Sequence, residues 1–172
     1  MPGGVLTLAN AVTAVRLGLA VWLGWLLYQN EPSLAAAVLA LALTTDALDG
    51  WLARSRGETT KFGYLFDKIV DRLLLVGGLI VAIATQAVSP YAVWLVAKDF
   101  LALPAVTIKW QEGRSNFGMG MPGKVMTWLQ GIGFLWLLLD LPASMAIAAG
   151  VGVAGAIVSG RYLYRLVYGK RL

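Results

Sequence analysis

The chain has 172 residues, of which 59% are hydrophobic and 13% charged, with a mean hydropathy of +0.73 and a formal net charge of +5. That apolar fraction lies well above the range of soluble domains and leaves no stretch long enough for one, so a single domain of membrane helices spanning 1–172 is expected. Neither cysteine nor histidine occurs, which excludes disulfides, thiol nucleophiles, Ser-His triads, phosphohistidine chemistry and Cys/His zinc sites, and leaves carboxylates as metal ligands.

Six apolar runs follow one another, roughly Ala11 to Tyr28, Ser33 to Leu52, Gly63 to Thr85, Pro90 to Ile108, Gly123 to Leu139 and Ala143 to Tyr164. Each approaches the ~20 residues needed to cross ~30 Å of hydrocarbon. The segment before Asn10 is short and poor in Lys and Arg, so the first run reads as an uncleaved span. The turns Gln29 to Pro32, Gln86 to Ser89 and Asp140 to Pro142 hold no Lys or Arg. The opposite ends carry Arg54, Arg56, Lys61, Lys109, Arg114, Lys124, Arg161, Arg165, Lys170 and Arg171. The positive-inside rule therefore predicts an all-α integral membrane protein of six transmembrane helices with cytoplasmic N and C termini. In this setting the net positive charge speaks for orientation in a membrane, not for nucleic acid.

Four of the nine acidic residues, Asp46, Asp49, Asp67 and Asp71, fall at the cytoplasmic ends of the second and third runs. At 1.5 Å per residue they lie about 5 to 12 Å from those ends, at one depth. The spacings of three and four residues put each pair on one helix face, and a hairpin turns the two faces together. Four carboxylates without a counter-ion repel strongly in low dielectric, and Arg54, Lys68 and Arg72 are too few and too constrained to neutralise them. Divalent cations resolve the repulsion, and a pair of hard cations on shared carboxylates suits phosphoryl or phosphodiester transfer. Intramembrane carboxylates also serve cation or proton transport, the competing reading of the same residues.

The pattern Asp46-x-x-Asp49-Gly50-x-x-Ala53-Arg54, eight residues, Gly63-x-x-x-Asp67-x-x-x-Asp71 resembles the signature of the CDP-alcohol phosphatidyltransferases at every position. Asn10, Thr13 and Arg16 resemble that family's N-terminal Asn-x-x-Thr-x-x-Arg segment. Gly123-Lys124, Thr127 and Gln130 resemble the start of the fifth span in its glycerophosphate-type members. The resemblance implies transfer of a phosphatidyl group from CDP-diacylglycerol to an alcohol acceptor with release of CMP, using Mg2+ or Mn2+, two ions. It implies that Asp46, Asp49 and Asp67 bind metal, with Asp71 as a further ligand and the base. Gly50, Ala53 and Arg54 cradle the cytidine diphosphate, Gly63 keeps the cleft open, and Asn10, Thr13, Arg16 and Lys124 complete the expected binding set. A bacterial plasma membrane, an active site facing the cytoplasm, contact with membrane lipids and a homodimer are the further expectations.

The acceptor is read from fewer residues. Arg16 favours the glycerophosphate and cardiolipin branches, so glycerol 3-phosphate is the leading acceptor and phosphatidylglycerol the alternative. Lys98-Asp99 stands where glycerophosphate-using members resemble Arg-Asp or Arg-Glu, and Arg72 follows Asp71 where they have Lys. Lys98-Asp99 also reads as a structural ion pair. Lys109, Arg114, Lys124 and Arg161 are the candidate cations for a phosphorylated acceptor. The segment from Gly118 to Gly123 reads as a loop before the fifth span. Ala146, Gly150 and Ala154 form a small-residue face suited to close helix packing, within the bundle or across a dimer.

Overall fold

In the computed structural model, the described residues are 8–56, 61–102 and 120–168, with side chains described for 11–46, 66–102 and 122–168. All regular structure among them is helical. The chain divides into two compact units, Met1–Ser89 and Pro90–Leu172.

The first unit contains α1 (Leu8–Tyr28), α2 (Pro32–Arg56), α3 (Lys61–Arg72), a π-helical segment Leu73–Gly77 and α4 (Gly78–Ala84). The link between α1 and α2 closes with the Asn30 N–H on Leu27 O at 3.1 Å and the Glu31 N–H on Leu26 O at 3.0 Å. Asn30 takes a left-handed φ of 59° and Pro32 starts the next helix. This is the Schellman arrangement, which satisfies the last carbonyls of α1 and uses a residue type that tolerates positive φ. The same bonds recur at Asp140 (φ 48°) and Leu141 ahead of Pro142, where the Trp136 indole also donates to Pro142 O at 3.1 Å. Both turns match the expected breaks.

Helix α1 packs against α2, α3, the π-helical segment and α4. Its inward stripe buries Leu19, Leu23, Leu26 and Leu27, while Val15, Val21, Trp22 and Trp25 stay exposed. A helix apolar on both its inward and outward faces suits hydrocarbon rather than water. Ala11–Tyr28 and Ser144–Tyr168 are long and apolar enough to cross a membrane, and Pro32–Asp46 is a shorter apolar helix. Thr44 and Thr45, just before Asp46, turn their hydroxyls back onto their own helix, to Ala40 O at 3.0 Å and Ala42 O at 2.8 Å. Such back-bonding satisfies a hydroxyl where no water is at hand.

The second unit contains a 3-10 helix Pro90–Val96, α5 (97–102 within the described residues), α6 (Gly120–Leu138) and α7 (Ser144–Tyr168). Two expectations change here. The fourth run does not begin as an α-helix, since its first seven residues wind as the tighter 3-10 form. The Gly120 to Gly123 part of the expected loop is helical, because Pro122 lies in the first turn of α6, where its missing N–H breaks no intrahelical bond. Gly118 lies outside the described residues.

Close packing in this unit uses Ala148, Gly152, Gly155 and Ser159, buried at helical spacing along α7. A Cβ on Gly152 would stand 2.2 Å from the Trp94 carbonyl oxygen, and one on Gly155 2.8 Å from the Lys98 Cβ. Glycine is required at Gly152 by the approach of the Trp94 backbone and favoured at Gly155 by the approach of the Lys98 side chain. The Ala146–Gly150 face is not the one used: both residues are exposed, and a Cβ on Gly150 meets nothing within 4 Å.

Candidate functional site

Three of the four expected carboxylates converge. Asp46 comes from α2, Asp67 and Asp71 from one face of α3, and one oxygen from each lies within 4.8 Å of the others. The i, i+4 spacing of Asp67 and Asp71 places them one above the other on α3. A π-helical turn begins two residues beyond Asp71, with the Gly78 N–H directed at the carbonyls of Leu73, Leu74 and Leu75. Widened turns of this kind concentrate at functional sites. The carboxylates are partly open, with side-chain exposures of 36% for Asp46, 42% for Asp67 and 28% for Asp71.

At the centre stands Arg16 of α1, whose side chain is only 1% exposed. Its Nη1 donates to Asp67 Oδ1 at 2.7 Å and to Asp71 Oδ1 at 3.0 Å, and its Nη2 lies 3.1 Å from Asp46 Oδ1. This changes the sequence reading in one respect. Beyond Arg54, Lys68 and Arg72, the cations weighed from the sequence, a third helix delivers the Arg16 guanidinium to all three carboxylates. Depth alone could have found it: Arg16 is five residues inside Ala11, about 7.5 Å along the helix axis, within the range worked out for the aspartates.

Thr13 is buried one turn before Arg16 on α1. Asn10 on α1, Asp49, Gly50, Ala53 and Arg54 on α2, and Gly63 on α3 lie on the site's helices, but outside the residues whose side chains are described. Lys124 is exposed on α6, in the second unit. Of the candidate acceptor cations, Lys109 and Arg114 lie outside the described residues. Arg161 lines a shallow recess on α7 with Gly160, Tyr164 and Arg165.

A second polar group sits inside the Pro90–Leu172 unit. The buried Lys98 Nζ donates to Asp99 Oδ1 at 3.0 Å and reaches Thr127 Oγ1 at 3.4 Å. The buried Gln130 donates its Nε2 to Asp99 Oδ2 at 2.8 Å. From α7, the Ser159 hydroxyl donates to the Lys98 carbonyl at 3.2 Å. Lys98-Asp99 is thus an ion pair that ties α5 to α6 and α7, and Thr127 and Gln130, singled out for resembling a family segment, are its partners.

Residues 6–158 match the family described as CDP-alcohol phosphatidyltransferase. Among curated proteins, the chain is 32% identical over 93 residues to a probable cardiolipin synthase (CMP-forming) of Drosophila melanogaster, a match covering 54% of this chain and 28% of that protein. It is 30% identical over 135 residues to the CDP-diacylglycerol–glycerol-3-phosphate 3-phosphatidyltransferase of Bacillus subtilis (strain 168), covering 74% of this chain and 70% of the relative. The enzyme of the same name from Salmonella choleraesuis (strain SC-B67) is 26% identical over 138 residues, covering 77% and 75%. With the match running nearly end to end and including every described residue of the carboxylate cluster, the chain belongs to the CDP-alcohol phosphatidyltransferase family of enzymes.

Proposed function

We propose that this protein transfers a phosphatidyl group from CDP-diacylglycerol to glycerol 3-phosphate, giving phosphatidylglycerophosphate and CMP, in a metal-dependent reaction. The convergence of Asp46, Asp67 and Asp71 carries the reading. Three carboxylate oxygens within 4.8 Å of one another form a hard, all-oxygen donor set that fits Mg2+ or Mn2+. Asp46, Asp67 and Asp71, with Asp49 three residues beyond Asp46, would hold two ions. Such ions supply neutralisation of the pyrophosphate and stabilisation of the leaving phosphate.

The chain's own groups perform the proton and positioning work. Asp71 takes the proton from the acceptor hydroxyl as its oxygen bonds to the phosphorus of the phosphatidyl group. The bond from that phosphorus to the bridging pyrophosphate oxygen breaks, and CMP leaves with the electron pair. Gly50, Ala53 and Arg54 receive the cytidine diphosphate, Gly63 keeps the cleft open, and Asn10 and Thr13 complete the donor pocket. Lys109, Arg114, Lys124 and Arg161 are the candidate cations for a phosphorylated acceptor.

The proposed setting is a six-span domain with cytoplasmic termini in a bacterial plasma membrane. The acyl chains of the donor stay among membrane lipids while its head reaches a site just below the cytoplasmic surface. The outward Ala146–Gly150 face, with open space at Gly150, supports a homodimer. A second reading, cardiolipin synthesis with phosphatidylglycerol as acceptor, draws support from the similarity to the Drosophila protein.

The test incubates the purified full chain with CDP-diacylglycerol, Mn2+ or Mg2+, and either glycerol 3-phosphate or phosphatidylglycerol, following CMP and the lipid product. Release dependent on glycerol 3-phosphate is expected. Release with phosphatidylglycerol alone selects the second reading, and no acceptor-dependent release with either refutes both.

A further inference from the structure

The carboxylate cluster already holds a cation of the chain's own, and its position has a consequence for metal loading. Arg16 engages Oδ1 of Asp46, Asp67 and Asp71 together, from a side chain that is 1% exposed. These are the three carboxylates whose oxygens approach within 4.8 Å, the donor set for a divalent ion. A guanidinium and a divalent ion on the same carboxylates repel each other, and the planar fork that bridges several carboxylates is a strong competitor. Arg16 offsets one of the three formal negative charges of these carboxylates.

We propose that Arg16 is a resident counter-cation that competes with the divalent metal for Asp46, Asp67 and Asp71, so that it sets the metal affinity of the site and must give up carboxylate contacts when metal binds. The proposal rests on the metal-dependent reading above. It assigns Arg16 to a positioning role: the guanidinium keeps the three carboxylates together without metal and weakens metal binding as the cost of doing so. Thr13 is buried one turn earlier on the same helix.

The experiment compares Mn2+ binding by the full chain and by Arg16→Gln in detergent micelles, using the free Mn2+ signal in electron paramagnetic resonance, together with melting temperatures in chelator and in saturating Mn2+. Arg16→Gln is expected to bind Mn2+ at least ~10-fold more tightly, because the carboxylates lose a competing charge. It should melt lower than the wild type in chelator and recover most of the difference with Mn2+, since the ion replaces the missing cation. A structural arginine would give the lower melting temperature but weaker or unchanged metal affinity, and either of those affinities overturns the proposal. If neither protein binds Mn2+ up to millimolar concentration, the metal reading itself falls and takes the proposal with it. If Arg16→Gln does not yield folded protein, Arg16→Lys decides the matter: an ammonium cannot bridge three carboxylates as the fork does, so Mn2+ binding tighter than wild type is expected, and equal or weaker binding overturns the competition.

Discussion

Asp99→Asn isolates the charge of the buried pair in the second unit. The side chain keeps its shape, and its carbonyl can still accept from Lys98, whose Nζ lies 3.0 Å from Asp99 Oδ1. The Gln130 Oε1 is buried with no hydrogen-bond partner among the described residues, so turning that amide over lets it accept from the new Asn amide. Hydrogen bonding is therefore largely preserved and the lost term is electrostatic. At a separation of 3.0 Å and an effective dielectric of about 20, Coulomb's law gives about 5 to 6 kcal/mol. Relief from desolvating the carboxylate, which is 12% exposed, offsets part of this, leaving about 3 to 5 kcal/mol of destabilisation from the loss of the Asp99 charge beside Lys98. Unfolding of the purified protein with increasing SDS in mixed micelles, followed by tryptophan fluorescence, measures the loss. The double variant Lys98→Met with Asp99→Asn should recover at least about half of it, because no uncompensated charge remains. A single-variant loss under ~1 kcal/mol would refute the assignment of Lys98-Asp99 as a structural pair and return both residues to the acceptor question.

The other expected outcomes address packing and chemistry. Gly152→Ala places a Cβ 2.2 Å from the Trp94 carbonyl and should cost about 1 to 3 kcal/mol in the same unfolding assay, whereas Gly150→Ala, in open space, should stay within ~0.5 kcal/mol of the wild type. Equal effects at the two glycines would contradict the packing face of α7. Asp71→Asn should lower kcat for CMP release by about 10² to 10⁴-fold while CDP-diacylglycerol binding changes little. Turnover above roughly a tenth of the wild type would remove Asp71 from the role of base. Chelation should abolish CMP release and added Mn2+ or Mg2+ restore it, so turnover that survives exhaustive chelation contradicts the metal clamp.

Much of the local structure was legible in the sequence. The polar breaks at Asn30 and Asp140 are residue types that enter the left-handed region readily, each followed two residues later by Pro, and both become capped helix ends. Gln86 and Ala143 also adopt positive φ, at 60° and 59°, and neither residue type announces it; Gln86 directly follows the C-cap of α4, where local backbone hydrogen bonds close the turn. The pairing of Asp67 with Asp71 on one face follows from helical periodicity. The 3-10 start of the fourth run and the π-helical turn after Arg72 were not legible, since Pro90–Val96 and Leu73–Gly77 are apolar residues compatible with an ordinary α-helix.

By itself the sequence determined the helical class, the turn positions, the residues that share each helix face, and the family resemblance carried by Asp46 to Asp71. Only the tertiary structure decided which faces meet. It brought Arg16 to carboxylates 51 and 55 residues away, and it set Gly152 and Gly155, not Gly150, against Trp94 and Lys98. The physical reason is that periodicity and propensity act within a few residues of chain. The partner of a buried charge is settled by the packing of whole helices, in which Arg16 and the aspartates each avoid the larger cost of standing alone in low dielectric.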